Sequence, residues 1–302
     1  MSTVTDAASG TQFASSISEL NEIRSRDPGR IKRLLIARRR RELFGPDGKL
    51  MIIACDHPAR GALSAAGRPT AMASRTDLLD RLVTALTRPG VDGLLATADI
   101  AEDLLMLGIL EEKLVFASMN RGGLQGSVFE MDDRNTGYDV RGTIDAGFEG
   151  AKMLLRIDLE DPGTLTTLEQ CGQAITELNR AELIAMVEPF MSSRLSGKIA
   201  NDLSPDAVIK SVHIAQGLGA SSAYTWMKLP VVHEMERVMD ATTLPTLLLG
   251  GDPEGAPDET YAAWEAALAL PSVRGLVVGR TMLYPIDDDV ANAVDTAASL
   301  VR

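Results

Sequence analysis

The chain is poor in the residues that usually mark a metal site, a disulfide framework or a membrane span. Its 302 residues include only three histidines and two cysteines. His57, His213 and His233 fall in no HExxH arrangement, and Cys55 and Cys171 form no CxxC pair. No spacing suited to a dedicated transition-metal site is therefore present, and no metal is expected. Two such distant cysteines also exclude a disulfide scaffold, so both are expected to be reduced and structural. No apolar run reaches the roughly 18 residues of a membrane helix, and the polar amino terminus lacks the apolar core of a secretion signal. A cytoplasmic protein with no membrane partner is expected. Positive charge is also scarce: 30 Lys and Arg face 42 Asp and Glu, for a net charge of −12. An acidic body argues against general nucleic-acid binding. No tandem repeat or low-complexity tract occurs.

What is present is a large apolar fraction. Hydrophobic residues make up 45% of the chain, enough for one large domain or two ordinary ones. Charge is uneven. Residues 1–50 hold ten basic and six acidic side chains, a balance of +4, so the remaining 252 residues carry −16. The run Arg38–Arg41 is the one basic cluster, and its ordinary reading is a solvated helix face or a subunit contact.

Eight short apolar runs recur: 50–57 (LMIIACDH), 93–99, 113–120, 151–158, 183–189, 223–230 (AYTWMKLP), 245–252 (PTLLLGGD) and 275–280. Amphipathic helical patterns separate most of them, at Arg75–Leu86, Leu168–Asn179, Pro205–Leu218, Val232–Ala241 and Thr260–Leu270. Continuous apolar strands alternating with such helices indicate an α/β fold with a covered parallel sheet. Eight units over about 250 residues match a (β/α)8 TIM barrel. An open doubly wound sheet is the alternative, but no GxGxxG follows the first strand. Residues 1–48 read as a helical extension, Ser16–Arg26 and Pro28–Phe44 broken at Asp27-Pro28, and 49–302 as the barrel. The extension is expected to close the barrel bottom or mediate assembly into a homo-oligomer, with residues 1–14 mobile.

A barrel does its chemistry at the carboxyl ends of its strands. Strand 1 ends in Asp56-His57, strand 4 carries Lys152 and Arg156 on one face, and strand 5 ends in Glu188. Strand 6 carries Lys228 inside the apolar YTWMKLPVV (224–232), with Tyr224 and Trp226 on the same face by the period of two. Burial beside a second cation such as Lys152 favours a neutral amine, the nucleophile that forms a Schiff base with a carbonyl. The plain alternative is a structural ion pair with Glu188 or Asp56. Strands 7 and 8 run into Gly250-Gly251-Asp252 and Gly279-Arg280. Barrels often hold phosphate at this place through backbone N–H groups, and Arg280 offers a bidentate partner. A lysine on strand 6 with a phosphate corner beside it points to a phosphosugar.

Together these residues resemble the class I Schiff-base aldolases of the deoxyribose-phosphate, tagatose-bisphosphate and archaeal-type fructose-bisphosphate group. The likeness spans about 48–302 and rests on ACDHPARG, AKMLLRI, EPF, WMKLP, LLLGGDP and VVGRTM. It implies a lyase with Lys228 as the Schiff-base residue, Asp56, Lys152 and Glu188 as its catalytic partners, and phosphate at Gly250, Gly251, Gly279 and Arg280. It implies no cofactor, and a phosphorylated small molecule as substrate. The chain departs from the deoxyribose-phosphate branch in lacking a lysine on strand 7, and from the archaeal branch in having Glu188 where that branch has tyrosine. The basic amino-terminal helices and the loop DDRNTGYDVRG (132–142) are most similar to a set associated with myo-inositol breakdown. For that set the implied reaction is cleavage of 2-deoxy-5-keto-gluconate 6-phosphate to dihydroxyacetone phosphate and malonate semialdehyde.

The implied chemistry runs through an iminium on Lys228, with Glu188 or Asp56 taking the hydroxyl proton and Lys152 stabilising developing negative charge. A sugar-acid carboxylate needs its own cation, for which Arg60, Arg121 and Arg194 are candidates, each of which could equally be a loop residue. His57 can assist proton transfer or orient Asp56. Tyr138, in the long loop after strand 3, is a candidate lid residue, and Trp226 reads as packing. A metal-dependent aldolase or isomerase, or a sugar-phosphate sensor without turnover, would be the rival uses of such a barrel.

Overall fold

The computed structural model describes residues 12–251 and 257–302. Nine strands are present among them: β1 Leu50–Cys55, β2 Gly93–Ala96, β3 Leu114–Ser118, β4 Gly150–Ile157, β5 Ile184–Leu195, β6 Lys198–Asn201, β7 Thr225–Pro230, β8 Thr246–Leu249 and β9 Val273–Val278. Eight are parallel and hydrogen-bonded in the order β4-β3-β2-β1-β9-β8-β7-β5, and a β4–β5 pairing closes the ring. This is a (β/α)8 barrel. The ninth strand, β6, pairs antiparallel with the end of β5.

The helices are α1 Glu19–Arg26, α2 Gly29–Ala37, α3 Arg75–Leu86, α4 Ala98–Met106, α5 Val140–Asp145, α6 Gly163–Arg180, α7 Pro205–Gln216, α8 Met235–Asp240, α9 Pro257–Leu268, α10 Arg280–Leu283 and α11 Val290–Val301. Those that follow a barrel strand bury one stripe against the outside of the ring, as α3 does with Leu78, Leu79, Leu82 and Leu86. Among the described residues, no helix is long and apolar enough to cross a membrane.

Inside the ring, the period of two stacks apolar side chains from the bottom upward. Leu50, Ile52 and Ala54 of β1, Leu114 and Phe116 of β3, Ile184 and Met186 of β5 and Trp226 of β7 form this inner cluster. Gly275 permits the β1–β9 closure: at φ +123°, a Cβ there would come within 1.9 Å of the Leu50 carbonyl oxygen.

The amino-terminal segment departs from its expected form. The helix expected to reach Phe44 stops at Ala37, and Arg38–Arg41 follows it outside any helix, with Arg39 and Arg40 exposed and Arg38 buried. Arg38 is 5% exposed; it donates to the Lys113 and Gly147 carbonyls at 2.6 and 2.8 Å and pairs with Glu149 at 3.3 Å. Arg39 pairs with Glu111, Arg40 with Glu149 and Arg41 with Asp92, at 3.0, 3.2 and 2.7 Å. The basic cluster thus neutralises carboxylates at the amino ends of the strands, which a continuing helix could not do. Next in the chain, Leu43 packs on the inner cluster, and Phe44 stacks on Trp226 with centroids 5.8 Å apart. The segment stoppers the barrel. Of the leader expected to be mobile, residues 1–11 lie outside the described residues, whereas Ala14 is buried and its N–H donates to the Met106 carbonyl at 2.7 Å.

Removing Arg38 strips Glu149 of a buried partner. Arg38→Ala should therefore lower unfolding stability by about 3 kcal/mol, against less than about 0.5 kcal/mol for Arg26→Ala, whose pair with Glu22 is exposed. Urea titrations of the two variants compare them; equal losses would show that Arg38 is not a fastening.

Candidate active site

The two-residue period that stacks apolar side chains below continues into a polar layer above. One step beyond Ala54, Phe116, Met186 and Trp226 stand Asp56, Ser118, Glu188 and Lys228. Val187 pairs with Met227 in the sheet, so Glu188 and Lys228 follow side by side. Lys152 joins from β4, where its register partner on β3 is Ser118. A cavity of about 440 Å³ opens over this layer.

The layer is a chain of alternating charges. Lys228 Nζ donates to Glu188 Oε1 at 2.9 Å, and Glu188 Oε2 is paired with Lys152 Nζ. Lys152 Nζ lies 3.3 Å from Asp56 Oδ2, which also accepts from Ser118 Oγ at 2.8 Å and pairs with Arg121 Nη2 at 3.2 Å. All five charged groups are buried, Lys228 at 3% and Asp56 at 2% exposure. Burial opposes the charge on Asp56, but Arg121 and Lys152 outweigh it and hold the carboxyl well below the usual range. Burial opposes Glu188 too; Lys152 and Lys228 outweigh burial and the repulsion of Asp56, bringing it down to about 2. Lys152 moves downward, because burial outdoes the pull of its two carboxylates.

Around this chain the cavity brings together most of the expected residues. His57 lines it with Nδ1 3.9 Å from Asp56 Oδ1. Burial and the cations Arg280, Lys228 and Lys152 outweigh Asp56 and lower the imidazole to about 3, so His57 is neutral at neutral pH. Gly250, Gly251, Gly279 and Arg280 form one corner. Thr281 Oγ1 donates to the Gly250 and Gly251 carbonyls at 3.3 and 3.2 Å, tying the two loops together. A Cβ on Gly279 would come within 2.4 Å of the Ala54 carbonyl oxygen, so that strand end admits only glycine. Asp252, next in the sequence, lies outside the described residues. Arg60 and Arg121 line the cavity as well, both buried.

Two expected residues stay away. Arg194 lies within β5, which runs past Pro189, and it reaches the Ser127 and Val128 carbonyls and Asp161 rather than the cavity. Tyr138 does not line the cavity: its ring packs edge-on against Phe148 at 5.6 Å in the outer core, and burial raises its hydroxyl. The sequence reading missed Ser118, and it missed Glu130, which pairs with Arg156 at 2.6 Å on the cavity wall. It also missed the β5–β6 hairpin, which supplies Ile199 and Asn201. The hairpin's signal was the alternation around Ser196-Gly197, both at positive φ in a two-residue turn. Among the described residues, no group of three or more His, Cys, Asp and Glu side chains could hold a metal ion.

Residues 48–298 match the family described as Cgl0159-like. The chain belongs to the Cgl0159-like family. The crystal structure of Cgl0159 from Corynebacterium glutamicum is 59% identical, with 96% of this chain and 98% of that chain covered and a TM-score of 0.93. A Schiff-base-forming fructose-1,6-bisphosphate aldolase shares the fold at 18% identity and TM-score 0.63, over 90% of this chain and all (100%) of that one. So does an archaeal fructose-1,6-bisphosphate aldolase whose catalytic lysine is covalently bound to the carbinolamine intermediate, at 17% identity and TM-score 0.62, over 90% and 99% of the two chains. No curated protein matches the chain.

The charge chain of this Cgl0159-like protein makes its folding sensitive to acid. Glu188 falls from its ordinary 4.5 to about 2 on folding, and His57 from 6.5 to about 3. Each binds more protons unfolded than folded between those values, so stability rises with pH across that window. Unfolding free energy by urea titration should fall steadily from pH 6.5 to pH 3, and Glu188→Gln should flatten the part below 4.5. A flat profile in the parent protein would show that the carboxylate is not held by the lysines.

Proposed function

We propose that this chain is a class I aldolase that cleaves a phosphorylated keto sugar or sugar acid through a Schiff base on Lys228. The observation that carries this reading is a buried lysine on the sixth barrel strand, opening into a cavity and hydrogen-bonded at 2.9 Å to a carboxylate that a second lysine also holds. A purely structural pair would not need the cavity. Two structures of similar fold, one described as Schiff-base-forming and one with its catalytic lysine bound to a carbinolamine, support it by analogy.

In this mechanism Glu188 takes a proton from Lys228, and the freed amine attacks the substrate ketone. The carbinolamine loses its hydroxyl as water, with the proton returned by Glu188, to leave an iminium. Glu188, in contact with the reacting nitrogen, then removes the proton of the hydroxyl β to the iminium carbon. The C–C bond breaks, its electrons move into the iminium to give an enamine, and an aldehyde departs. Protonation of the enamine carbon and addition of water release the ketone product and restore Lys228. Asp56, saturated by Ser118, Lys152 and Arg121, fixes Lys152 where negative charge develops on oxygen. Gly250, Gly251, Gly279 and Arg280 receive the phosphate. Within this class, the finer assignment is 2-deoxy-5-keto-gluconate 6-phosphate giving dihydroxyacetone phosphate and malonate semialdehyde.

A panel of ketose phosphates and phosphorylated keto sugar acids, assayed for aldehyde release with and without EDTA, tests the reading. Turnover should survive EDTA, vanish in Lys228→Met, and fall about 10²- to 10⁴-fold in Glu188→Gln. Turnover by Lys228→Met at the parent rate, or its loss in EDTA, would refute the Schiff base.

A further inference from the structure

The mechanism leaves one cluster of cavity-lining charges unused. Arg60 and Arg156 are 7% and 9% exposed, and both line the cavity. Arg60 is anchored by Asp133 and by the Gly123 and Asn120 carbonyls at 2.9 and 2.8 Å. Arg156 is anchored by Glu130 Oε1 at 2.6 Å and by the Glu130 carbonyl at 2.8 Å. Both guanidinium groups converge on Gly123, where a Cβ would come within 2.9 Å of each. Each keeps its buried Nε–H without a hydrogen-bond partner.

The position of the cluster is as informative as its charge. Arg60 reaches over to the loop after β3, and Arg156 stands on β4. The glycine corner follows β8 and β9. In the ring order β4-β3-β2-β1-β9-β8-β7-β5, these two pairs of strands are half a turn apart. A ligand held at the glycine corner and crossing the layer that holds Lys228 and Lys152 ends at the arginines. Outside the glycine corner, the charges of the cavity and their partners do not cancel. Lys152, Lys228, Arg60, Arg121 and Arg156 carry five positive charges, against the four negative charges of Asp56, Glu188, Asp133 and Glu130 with which they pair. One unit of positive charge is left over, which one carboxylate would balance and a phosphate dianion would exceed.

We propose that Arg60 and Arg156 form a second anion-binding subsite, across the barrel from the glycine corner, that takes a carboxylate on the part of the substrate released as aldehyde. The proposal rests on the aldolase reading for the direction in which the ligand lies.

The test runs the reaction in synthesis, with dihydroxyacetone phosphate and three acceptors: succinate semialdehyde, glyceraldehyde 3-phosphate and butanal. The parent enzyme should favour the carboxylate aldehyde over butanal in kcat/KM by at least about tenfold, the size expected of charge-assisted hydrogen bonds. Arg156→Gln should bring that ratio close to one, and Arg156→Lys should keep part of it. Because the readout is a ratio, a general loss of folded enzyme cancels. A parent ratio near one, a stronger preference for the phosphorylated aldehyde, or a ratio untouched by Arg156→Gln would overturn the subsite. Should the parent enzyme condense none of the acceptors, the aldolase reading fails separately. Calorimetric binding of malonate then decides the subsite: a loss of about tenfold or more in Arg156→Gln upholds it, and equal binding overturns it.

Discussion

Everything above the middle of the barrel depends on the pairing of Lys228 with Glu188. A lone ammonium in an apolar ring would cost far more than a marginally stable fold can supply. Glu188 offsets that cost but brings its own charge, and Lys152, Asp56 and Arg121 follow in turn, so that each carboxylate is held between two cations. Removing one member strands its neighbour, so the groups behave as a unit. A structural network of this kind could have been replaced by packed apolar side chains at little loss. Its place beneath an open cavity is a reason to read it as chemistry.

The two ends of the barrel divide the work. At the bottom, arginines pair with carboxylates, and Leu43 and Phe44 fill the mouth, so the interior is closed to water from that side. Trp226 links the halves: its ring meets Phe44 below, and Lys228 stands two residues above it on the same strand. At the top, Gly250, Gly251 and Gly279 at the ends of β8 and β9 line one corner of the cavity, and the β5–β6 hairpin raises one wall.

Much of this was legible in the sequence because barrel strands repeat simple rules. A period of two, applied to the eight apolar runs, assigned Lys152 and Arg156 to one face and Lys228 above Trp226. The glycines at 250, 251 and 279 marked the strand ends that line one corner of the cavity. What escaped depends on partners distant in the chain. Arg38–Arg41 continue a helical composition, and only the carboxylates of the barrel bottom draw them out of a helix. Pro189 looked like a strand end, yet on β5 it faces a neighbour without breaking the β4 pairing, so the strand runs on into a hairpin. Tyr138 and Arg194 follow catalytic-end strands in sequence, but Phe148 and the carbonyls of 127–128 claim them. Ser118 matters only because Asp56 stands opposite, which no local pattern encodes.

The central claim is that Lys228 acts as a nucleophile and is more than a structural cation. Borohydride reduction of the intact protein with dihydroxyacetone phosphate, followed by peptide mass mapping, addresses it most directly. The account predicts one stable adduct, on the peptide carrying Lys228, whose yield falls as a competing phosphorylated polyol, which has no carbonyl to trap, is added. An adduct on Lys152 instead, or no adduct at concentrations where the ligand demonstrably binds, would contradict it.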